Sequence, residues 1–361
     1  MQIDHIHFYA EDAQRWQTWF TQKWGLQTVQ QVDCLADSPA APATPSAVVE
    51  AGAVRLKFSA PSSENCPVSR YLDQHPAGVA DLAFCVTSLE AFLRRAVQLK
   101  AEILQPVYWG RDAFGSFRAA CIRGWGDLRH TLIERSQPQG IDRAAATTDW
   151  LGIDHVVLNV EQGSLGQAVC WYEQLFGFQR CQNFAIQTAY SALCSQVLRH
   201  PDSGFQMPIN EPASASSQIQ EFLDWNRGSG IQHIALRVRQ ILPLIEQMRQ
   251  NGIAFLTVPS SYYEQLAQRP GLALTASEQA AVAQQEVLVD WRLDGSEALL
   301  LQAFTQPIFE QPTFFFELIE RRRCPISQRF AEGFGEGNFQ ALFEAIEREQ
   351  IKRGGLPGAR A

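Results

Sequence analysis

Apolar residues recur along the chain with two spacings, and the two spacings follow each other in a regular order. An alternating run from Ile3 to Tyr9 is typical of a half-buried strand. A helix-like segment rich in aromatic residues follows at 15–25 and ends in glycine, which commonly terminates helices. Several strand-like stretches come after it. The pattern therefore predicts a unit with the order strand, helix, several strands.

Other segments are predicted as helices or loops from their spacing and composition. The helices are expected at 88–100, 241–250, 262–269 and 275–285, and an amphipathic helix carries Phe339, Leu342, Phe343 and Ile346 on one face. Residues 33–46 are rich in Ala, Pro and Ser, so an exposed loop is expected there. The two helices at 262–285 belong to extra length in the second half and are expected to cover part of it.

The same order of elements occurs twice, and specific residues recur in it. The matched pairs of segments are 3–5 with 153–155, 78–84 with 230–236, and 131–135 with 317–321. Three matches in one order are hard to assign to chance, so we predict two copies of one module. A polar stretch at 136–148 reads as a linker. It divides the chain into a first module at 1–147 and a second at 148–361.

Composition narrows the functional classes. The chain has 361 residues, 46% of them hydrophobic, which suits two domains with large cores. Thirty Lys and Arg against 38 Asp and Glu give a net charge of −8 with no basic run, which argues against nucleic-acid or membrane-surface partners. Neither a membrane-spanning stretch nor a signal peptide is expected. The eight cysteines are scattered without a CxxC pair, which favours reduced thiols and a cytoplasmic location.

Candidate metal ligands stand at the matched positions of the second copy. They are His155, His233 and Glu317. The corresponding residues of the first copy are His5, Asp81 and Thr131. Two histidines and a carboxylate on separate strands form the facial ligand set that leaves positions open for substrate and O2, and they suit Fe(II), Mn(II) or Zn(II). We therefore predict a metal site in the second module and a structural first module.

The neighbours of Glu317 favour a ligand over a structural carboxylate. A lone strand histidine is more often an ordinary core residue, but a carboxylate beside three phenylalanines is costly to bury unpaired. Strand alternation puts Phe315 and Glu317 on one face, and Phe314 and Phe316 on the other. A carboxylate that shares a buried face with an aromatic ring needs a cation, and a metal ion supplies one.

These residues lie in a longer series of segments that resembles a known family. The segments are 208–212 (PINEP), 217–220 (SQIQ), 230–235 (GIQHIA), 301–305 (LQAFT), 316–320 (FELIE) and 333–339 (GFGEGNF). With the triad, they resemble the 4-hydroxyphenylpyruvate dioxygenases of the vicinal-oxygen-chelate superfamily over nearly the whole chain. The resemblance implies an α+β fold of two tandem modules, each built from paired βαβββ units that form an open curled sheet or barrel.

The resemblance also implies roles for individual residues. His155, His233 and Glu317 match the iron ligands of the family. The residues that match its substrate pocket are Ser195, Asn210, Gln218, Gln232, Gln302, Phe304, Phe315, Phe334, Asn338 and Phe339.

Several of these residues also have an ordinary structural interpretation. Alternation turns Gln232 away from the face of its neighbour His233 unless the strand bulges. Asn338 can be the N-cap of the following helix and Phe339 that helix's first core residue. The remaining polar residues in question can be ordinary loop and strand positions, and they are Ser195, Asn210 and Gln218.

The activity implied by the resemblance is an Fe(II)-dependent conversion of 4-hydroxyphenylpyruvate and O2 to homogentisate and CO2. Decarboxylation, ring hydroxylation and side-chain migration belong to it, and the substrate supplies its own 2-oxo acid. The family also implies a cytoplasmic homo-oligomer serving tyrosine catabolism or quinone and tocopherol synthesis. The closest alternative is a hydroxymandelate synthase, which hydroxylates the benzylic carbon of the same substrate. Two more distant alternatives are an extradiol ring-cleaving dioxygenase, which needs an acid–base histidine such as His200, and a non-catalytic ligand-binding protein.

Overall fold

A computed structural model describes residues 1–29, 44–136, 148–188, 191–291, 298–324 and 326–353. Most of the expected linker at 136–148 and of the expected loop at 33–46 lies outside these ranges. The described chain forms two eight-stranded sheets, each curled into a half-barrel, which confirms the α+β fold of two tandem modules.

The first sheet is built from two consecutive βαβββ units. Its strands are β1 (Gln2–Tyr9), β2 (Gln27–Val29), β3 (Ser46–Ala51), β4 (Val54–Ser59), β5 (Gly78–Cys85), β6 (Ile103–Asp112), β7 (Gly115–Arg123) and β8 (Arg129–Arg135). The helices are α1 (Ala13–Trp24), α2 (Pro67–Gln74) and α3 (Leu89–Gln98). The strand order is β2-β3-β4-β1-β5-β8-β7-β6, with the first strands of the two units antiparallel at the centre.

The second sheet repeats this plan. Its strands are β9 (Trp150–Asn159), β10 (Gln179–Gln187), β11 (Ala192–Arg199), β12 (Gln206–Pro212), β13 (Gly230–Val238), β14 (Leu288–Trp291), β15 (Leu299–Phe304) and β16 (Phe315–Arg321). The helices are α4 (Leu165–Phe176), α5 (Gln218–Asn226), α6 (Ile241–Gln250), α7 (Ser260–Gln268), α8 (Ala276–Gln284) and α9 (Phe339–Lys352). The order β10-β11-β12-β9-β13-β16-β15-β14 is the first order shifted by one copy. All the helices expected from spacing are confirmed.

The strand register shows that the sequence repeat is also a structural repeat. His5 lies opposite Ala83 in the first sheet, and His155 lies opposite Ala235 in the second. The central antiparallel pair is interrupted by an extra residue at the same point in both copies, since the register shifts between His7 and Phe8 in one and between Ile231 and His233 in the other.

Helix ends follow from local sequence. The side chain of Asp12 accepts a hydrogen bond from the Arg15 N–H at the start of α1, and Gly25 ends that helix with φ 71°, a left-handed conformation that glycine adopts without steric cost. Thr275 and Glu278 form a capping box at the start of α8.

The two modules share one apolar core. Trp24 and Phe20 of α1 lie with ring centroids 4.9 and 5.8 Å from Phe316 on β16. In the opposite direction, Phe176 of α4 lies 5.1 Å from Phe84 on β5. A helix of each module therefore contacts the sheet of the other, and burial of these rings stabilises the pair.

No helix in the described ranges is long and apolar enough to cross a membrane. The seven described cysteines are free thiols. 

One buried histidine makes the contact between the modules sensitive to acid. His130 of β8 lies 3.0 Å from the Tyr172 hydroxyl of α4 and 3.3 Å from the Leu82 carbonyl oxygen. A neutral ring satisfies both partners, and burial lowers the pKa of His130 to about 4. The unfolded chain takes up this proton near the ordinary histidine pKa, so acid favours unfolding in the window between the two pKa values.

Between about pH 7 and about pH 5, we expect the free energy of unfolding to fall in the parent by about 2 kcal/mol more than it falls in His130→Gln. Urea denaturation of both proteins at the two pH values measures the difference. Parallel loss of stability in parent and variant would contradict this role of His130.

Candidate metal centre

Three strands bring the predicted ligands together inside the second half-barrel. His155 on β9, His233 on β13 and Glu317 on β16 are all buried, and Glu317 is only 1% exposed. Its Oε2 lies 3.2 Å from His155 Nε2 and 3.7 Å from His233 Nε2. One ligand atom from each residue lies within 4.8 Å of the others. Among the described residues this is the one such cluster of three His, Cys, Asp or Glu side chains.

Neighbouring side chains orient each ligand. His155 Nδ1 lies 3.1 Å from Asp154 Oδ1, and His233 Nδ1 lies 3.2 Å from Gln232 Oε1. Both rings therefore turn Nε2 toward Glu317. The other carboxylate oxygen accepts a hydrogen bond of 2.9 Å from Gln302 Nε2. Such partners of the distal nitrogen hold metal-binding histidines in one tautomer and orientation.

The charges around Glu317 favour a cation at this point. Burial lowers the pKa of His233 well below its usual range, and a charge on His155 lowers it further. Burial also opposes a charge on His155, but the adjacent Glu317 carboxylate and Asp154 raise the pKa of His155 to about 9. The carboxylate thus stabilises positive charge beside it, and a divalent metal ion supplies that charge with the same three donors. The residues present fit a metal ion.

The equivalent positions of the first module are arranged differently. His5 is bonded to its neighbour Asp4 at 2.8 Å. Asp81 accepts hydrogen bonds from the backbone N–H and the hydroxyl of Thr131, at 2.8 Å for the N–H. The carboxylate is therefore satisfied within the protein, and Thr131 takes the place of the third ligand.

A cavity of about 90 Å³ opens beside the triad. All ten residues that the family resemblance assigns to the substrate pocket line it, and they are Ser195, Asn210, Gln218, Gln232, Gln302, Phe304, Phe315, Phe334, Asn338 and Phe339. Sequence reasoning did not assign seven aliphatic side chains and two further rings to this cavity, and these are Val157, Ile186, Leu193, Val197, Ile219, Leu342, Ile346, Phe184 and Phe343. Strand alternation and helix periodicity mark such residues as core positions, but they do not separate a cavity wall from ordinary packing.

The phenylalanine rings form a wall around the two histidines. Phe315 stacks on His233 with centroids 4.8 Å apart and an interplanar angle of 18°. Phe334 meets the His155 ring edge to face at 5.1 Å. Phe304 lies 6.4 Å from the His233 ring. This wall keeps the ligands away from water and presents a flat apolar surface to a bound aromatic ring.

The position of Gln232 in the cavity is explained by a strand bulge. Ile231 pairs with Leu158 and His233 with Val157, so Gln232 is the extra residue of β13. Because the extra residue breaks the alternation, both Gln232 and His233 reach the cavity. Alternation alone would turn Gln232 away from the face of His233, and the bulge is the reason that both residues line the cavity.

Asn338 begins α9 but does not cap it through its side chain. Its Nδ2 donates to Gln302 Oε1 at 2.9 Å, and its Oδ1 accepts from the Tyr262 hydroxyl at 2.8 Å. Gln302 continues this chain to Glu317. Tyr262 belongs to α7, one of the two extra helices, so the insertion is linked to the candidate metal site through a residue that sequence reasoning did not single out.

The backbone at Gly335 passes close to the side chain of Gln302. Gly335 has φ 76°, and a Cβ there would overlap the Gln302 amide, which explains a glycine in the GFGEGNF segment.

Gln218 Oε1 is buried without a hydrogen-bond partner among the described residues. A buried acceptor of this kind is costly, so it favours a ligand that carries a donor.

The βαβββ repeat and the buried His–His–Glu set define a class of protein. The family model described as the Glyoxalase/Bleomycin resistance protein/Dioxygenase superfamily matches residues 152–268. These residues include two of the three candidate ligands.

Comparison with whole chains is more specific. The chain is 34% identical to 4-hydroxyphenylpyruvate dioxygenase from Yarrowia lipolytica, over 98% of this chain and 93% of that protein. Identity to the enzyme of the same name from Caenorhabditis elegans is also 34%, with the same coverage. The solved structure of a triple mutant of 4-hydroxymandelate synthase from Streptomyces coelicolor is 28% identical in sequence and matches this structure with a TM-score of 0.82. The match covers 97% of this chain and 98% of that one. The chain belongs to the 4-hydroxyphenylpyruvate dioxygenase family.

We expect Glu317→Gln to lower the affinity for Fe(II) by at least roughly 100-fold, because loss of a residue that only hydrogen-bonds to a metal ligand already costs up to about that much. The fold should survive, since the amide has the shape of the carboxylate. Anaerobic Fe(II) titration measures affinity, and the parent should saturate near about one equivalent.

Glu320→Gln is the matched control on the same strand. Glu320 accepts a 2.7 Å hydrogen bond from the Ile241 N–H at the start of α6 and does not line the cavity. The Glu320→Gln variant should lose about 1 kcal/mol of its free energy of unfolding and keep the parental affinity for Fe(II). Equal affinities in Glu317→Gln and parent would remove Glu317 from the ligand set.

Proposed function

We propose that the chain is an Fe(II)-dependent dioxygenase that converts 4-hydroxyphenylpyruvate and O2 to homogentisate and CO2. The observation that carries this proposal is the buried His155, His233 and Glu317 cluster at one side of an aromatic cavity. Membership of the family supports the choice of substrate.

In this proposal His155, His233 and Glu317 hold the iron, and the remaining pocket residues bind the substrate. Bound Fe(II) supplies O2 activation and coordination positions for the carboxylate and keto oxygens of a 2-oxo acid. The protein orients the substrate, excludes water and keeps the ligands in place.

The polar lining supports recognition of the phenol. At neutral pH the phenolic O–H is the one hydrogen-bond donor of 4-hydroxyphenylpyruvate in its keto form. Gln218 Oε1 is a buried acceptor without a partner in the described chain. We assign the phenol to Gln218, with Ser195 and Asn210 on facing positions of β11 and β12 completing that end of the cavity.

The size of the cavity implies movement of its wall during substrate entry. Ligand pockets generally begin at roughly 300 Å³, whereas this cavity measures about 90 Å³. Phe334, Asn338 and Phe339 lie in the C-terminal segment that lines it. We propose that displacement of this segment admits the substrate and that its return closes the site.

A hydroxymandelate synthase is the second candidate, because the solved structure of that name matches nearly the whole chain with a TM-score of 0.82. Both candidates use the same substrate, so only the product separates them. An extradiol enzyme is not favoured, because His200 packs against Phe178 and does not line the cavity. A non-catalytic binding protein is not favoured either, because such a protein has no need of three converging metal ligands.

Product analysis tests the proposal. The chain, reconstituted with Fe(II) and given 4-hydroxyphenylpyruvate and O2, should release CO2 and yield homogentisate in proportion to O2 consumed. We expect Phe304→Ile to divert part of the turnover to 4-hydroxymandelate or to unproductive decarboxylation. The looser wall changes the position of the ring, and about 1.4 kcal/mol between competing barriers alters the product ratio tenfold.

Phe314→Ile controls for loss of an aromatic ring from the same region. Phe314 faces the core shared by the modules, 5.1 Å from Phe8, so this variant should lose stability and keep the product ratio. A parent that makes mainly 4-hydroxymandelate would replace the first proposal by the second. Pure homogentisate at the parental rate from Phe304→Ile would exclude Phe304 from the wall.

We also propose that the chain is a cytoplasmic homo-oligomer, in which residues 1–147 form the structural module and 148–361 the catalytic one. The free cysteines support a reducing compartment. The edge strand β6 and the adjacent α3 expose several large apolar side chains, which are Val97, Leu99, Ile103, Val107 and Trp109. An exposed apolar sheet edge favours pairing with a second copy.

Light scattering tests this surface. Trp109 is 60% exposed, and we expect Trp109→Lys to reduce the molecular mass toward that of a single chain. Trp225 is 47% exposed on α5, away from this edge, so Trp225→Lys should leave the mass unchanged. A monomeric parent would contradict self-association.

A further inference from the structure

Arg321, the last residue of β16, makes hydrogen bonds in two directions. Its Nε and Nη2 donate to the two carboxylate oxygens of Asp154, at 2.7 and 2.6 Å. Its Nη1 donates to the carbonyl oxygens of Ala331 and Gly333, at 3.0 and 2.9 Å. The side chains of Arg321 and Asp154 are 7% and 6% exposed, so water competes little for these bonds.

One end of this contact reaches a candidate ligand. Asp154 Oδ1, which accepts from Arg321, also lies 3.1 Å from His155 Nδ1. The guanidinium thus fixes the carboxylate, and the carboxylate fixes the plane of the imidazole whose Nε2 faces Glu317.

The other end reaches the segment that closes the cavity. Ala331 and Gly333 lie three residues and one residue before Phe334, whose ring packs on His155 and whose carbonyl oxygen accepts from Gln302 Nε2 at 2.9 Å. The two backbone acceptors of Arg321 therefore lie at the start of the segment whose displacement, in the proposed function, admits the substrate.

The first module contains the same ion pair with a different second contact. Arg135 donates to Asp4 at 2.8 and 3.1 Å, in the arrangement of Arg321 and Asp154. Its remaining bonds go to the side chain of Asp112 at the end of β6, at 3.0 and 2.8 Å. The pair itself is thus part of the repeated framework, whereas the contact with a backbone segment at the cavity belongs to the second module.

We propose that Arg321 is a positioning residue that couples closure of the 331–339 segment to the orientation of His155. The proposal rests on the role of His155 as a metal ligand in the proposed function. When the segment is closed, Arg321 holds both the segment and Asp154. When the segment leaves, the guanidinium loses two acceptors and the restraint on Asp154 weakens. Closure over the substrate therefore improves the alignment of the ligand.

Lysine cannot replace this arrangement, because its single ammonium nitrogen does not span a carboxylate and two carbonyl groups at once. In Arg321→Lys we expect faster hydrogen–deuterium exchange of amides in 331–339 of the metal-free chain, by about tenfold. We also expect a loss of Fe(II) affinity of about 10-fold or more in anaerobic titration. In turnover, kcat and the ratio of product to O2 consumed should fall more than KM rises.

Arg135→Lys is the matched control. It removes the same bidentate geometry from the first module and should leave both the exchange of 331–339 and the Fe(II) affinity at the parental values. Unchanged exchange and affinity in Arg321→Lys would overturn the proposal. Equal changes in both variants would also overturn it, because they would reduce Arg321 to a general framework contact.

Asp154→Asn provides a second test if Arg321→Lys folds poorly. This variant keeps an acceptor for His155, and the side-chain hydrogen bonds of Asp154 go to Arg321 and His155 rather than to 331–339. Faster exchange in that segment together with weaker iron binding supports the coupling, and parental exchange overturns it. Fe(II) binding by a parent that makes neither homogentisate nor 4-hydroxymandelate would refute the proposed function, whereas the exchange comparison decides the role of Arg321 in either case.

Discussion

The buried carboxylate of Glu317 is the constraint around which the second module is organised. An anionic group in an apolar interior is stable only with compensating charge and hydrogen bonds. Here His155 and His233 approach one oxygen, and Gln302 donates to the other. Each of those partners makes a further hydrogen bond to a neighbouring side chain. One carboxylate group therefore sets the arrangement of side chains from β9, β13, β15 and β16.

The strand that carries this carboxylate serves two regions at once. Phe315 and Glu317 face the cavity, and Phe314 and Phe316 face the core shared with the first module. Period-two alternation is sufficient to predict this division. A one-residue slip of β16 would bury a phenylalanine at the position of Glu317 and place the carboxylate in an aromatic core, so the register is strongly specified.

Much of the fold and site was predictable because the repeat supplied long-range information. Matching His155 with His5 located equivalent strands, and the pattern around Phe339 located the last helix. The roles of the pocket residues came from family resemblance. The bulge at Gln232 depends on pairing with β9, which a single strand does not reveal. The partners of Asn338 and Arg321 are distant in sequence, and neither spacing nor hydropathy identifies such contacts.

Reciprocal packing of α1 and α4 couples the stability of the two copies. Phe316 on the strand of Glu317 is covered by Trp24 and Phe20 of the first module, and Phe84 of the first is covered by Phe176 of the second. A fragment beginning at 148 would expose this aromatic surface to water and lose its apolar contacts. The copy that lacks the triad therefore covers apolar surface of the copy that has it, so a substitution in its first helix is expected to destabilise the strand that carries Glu317.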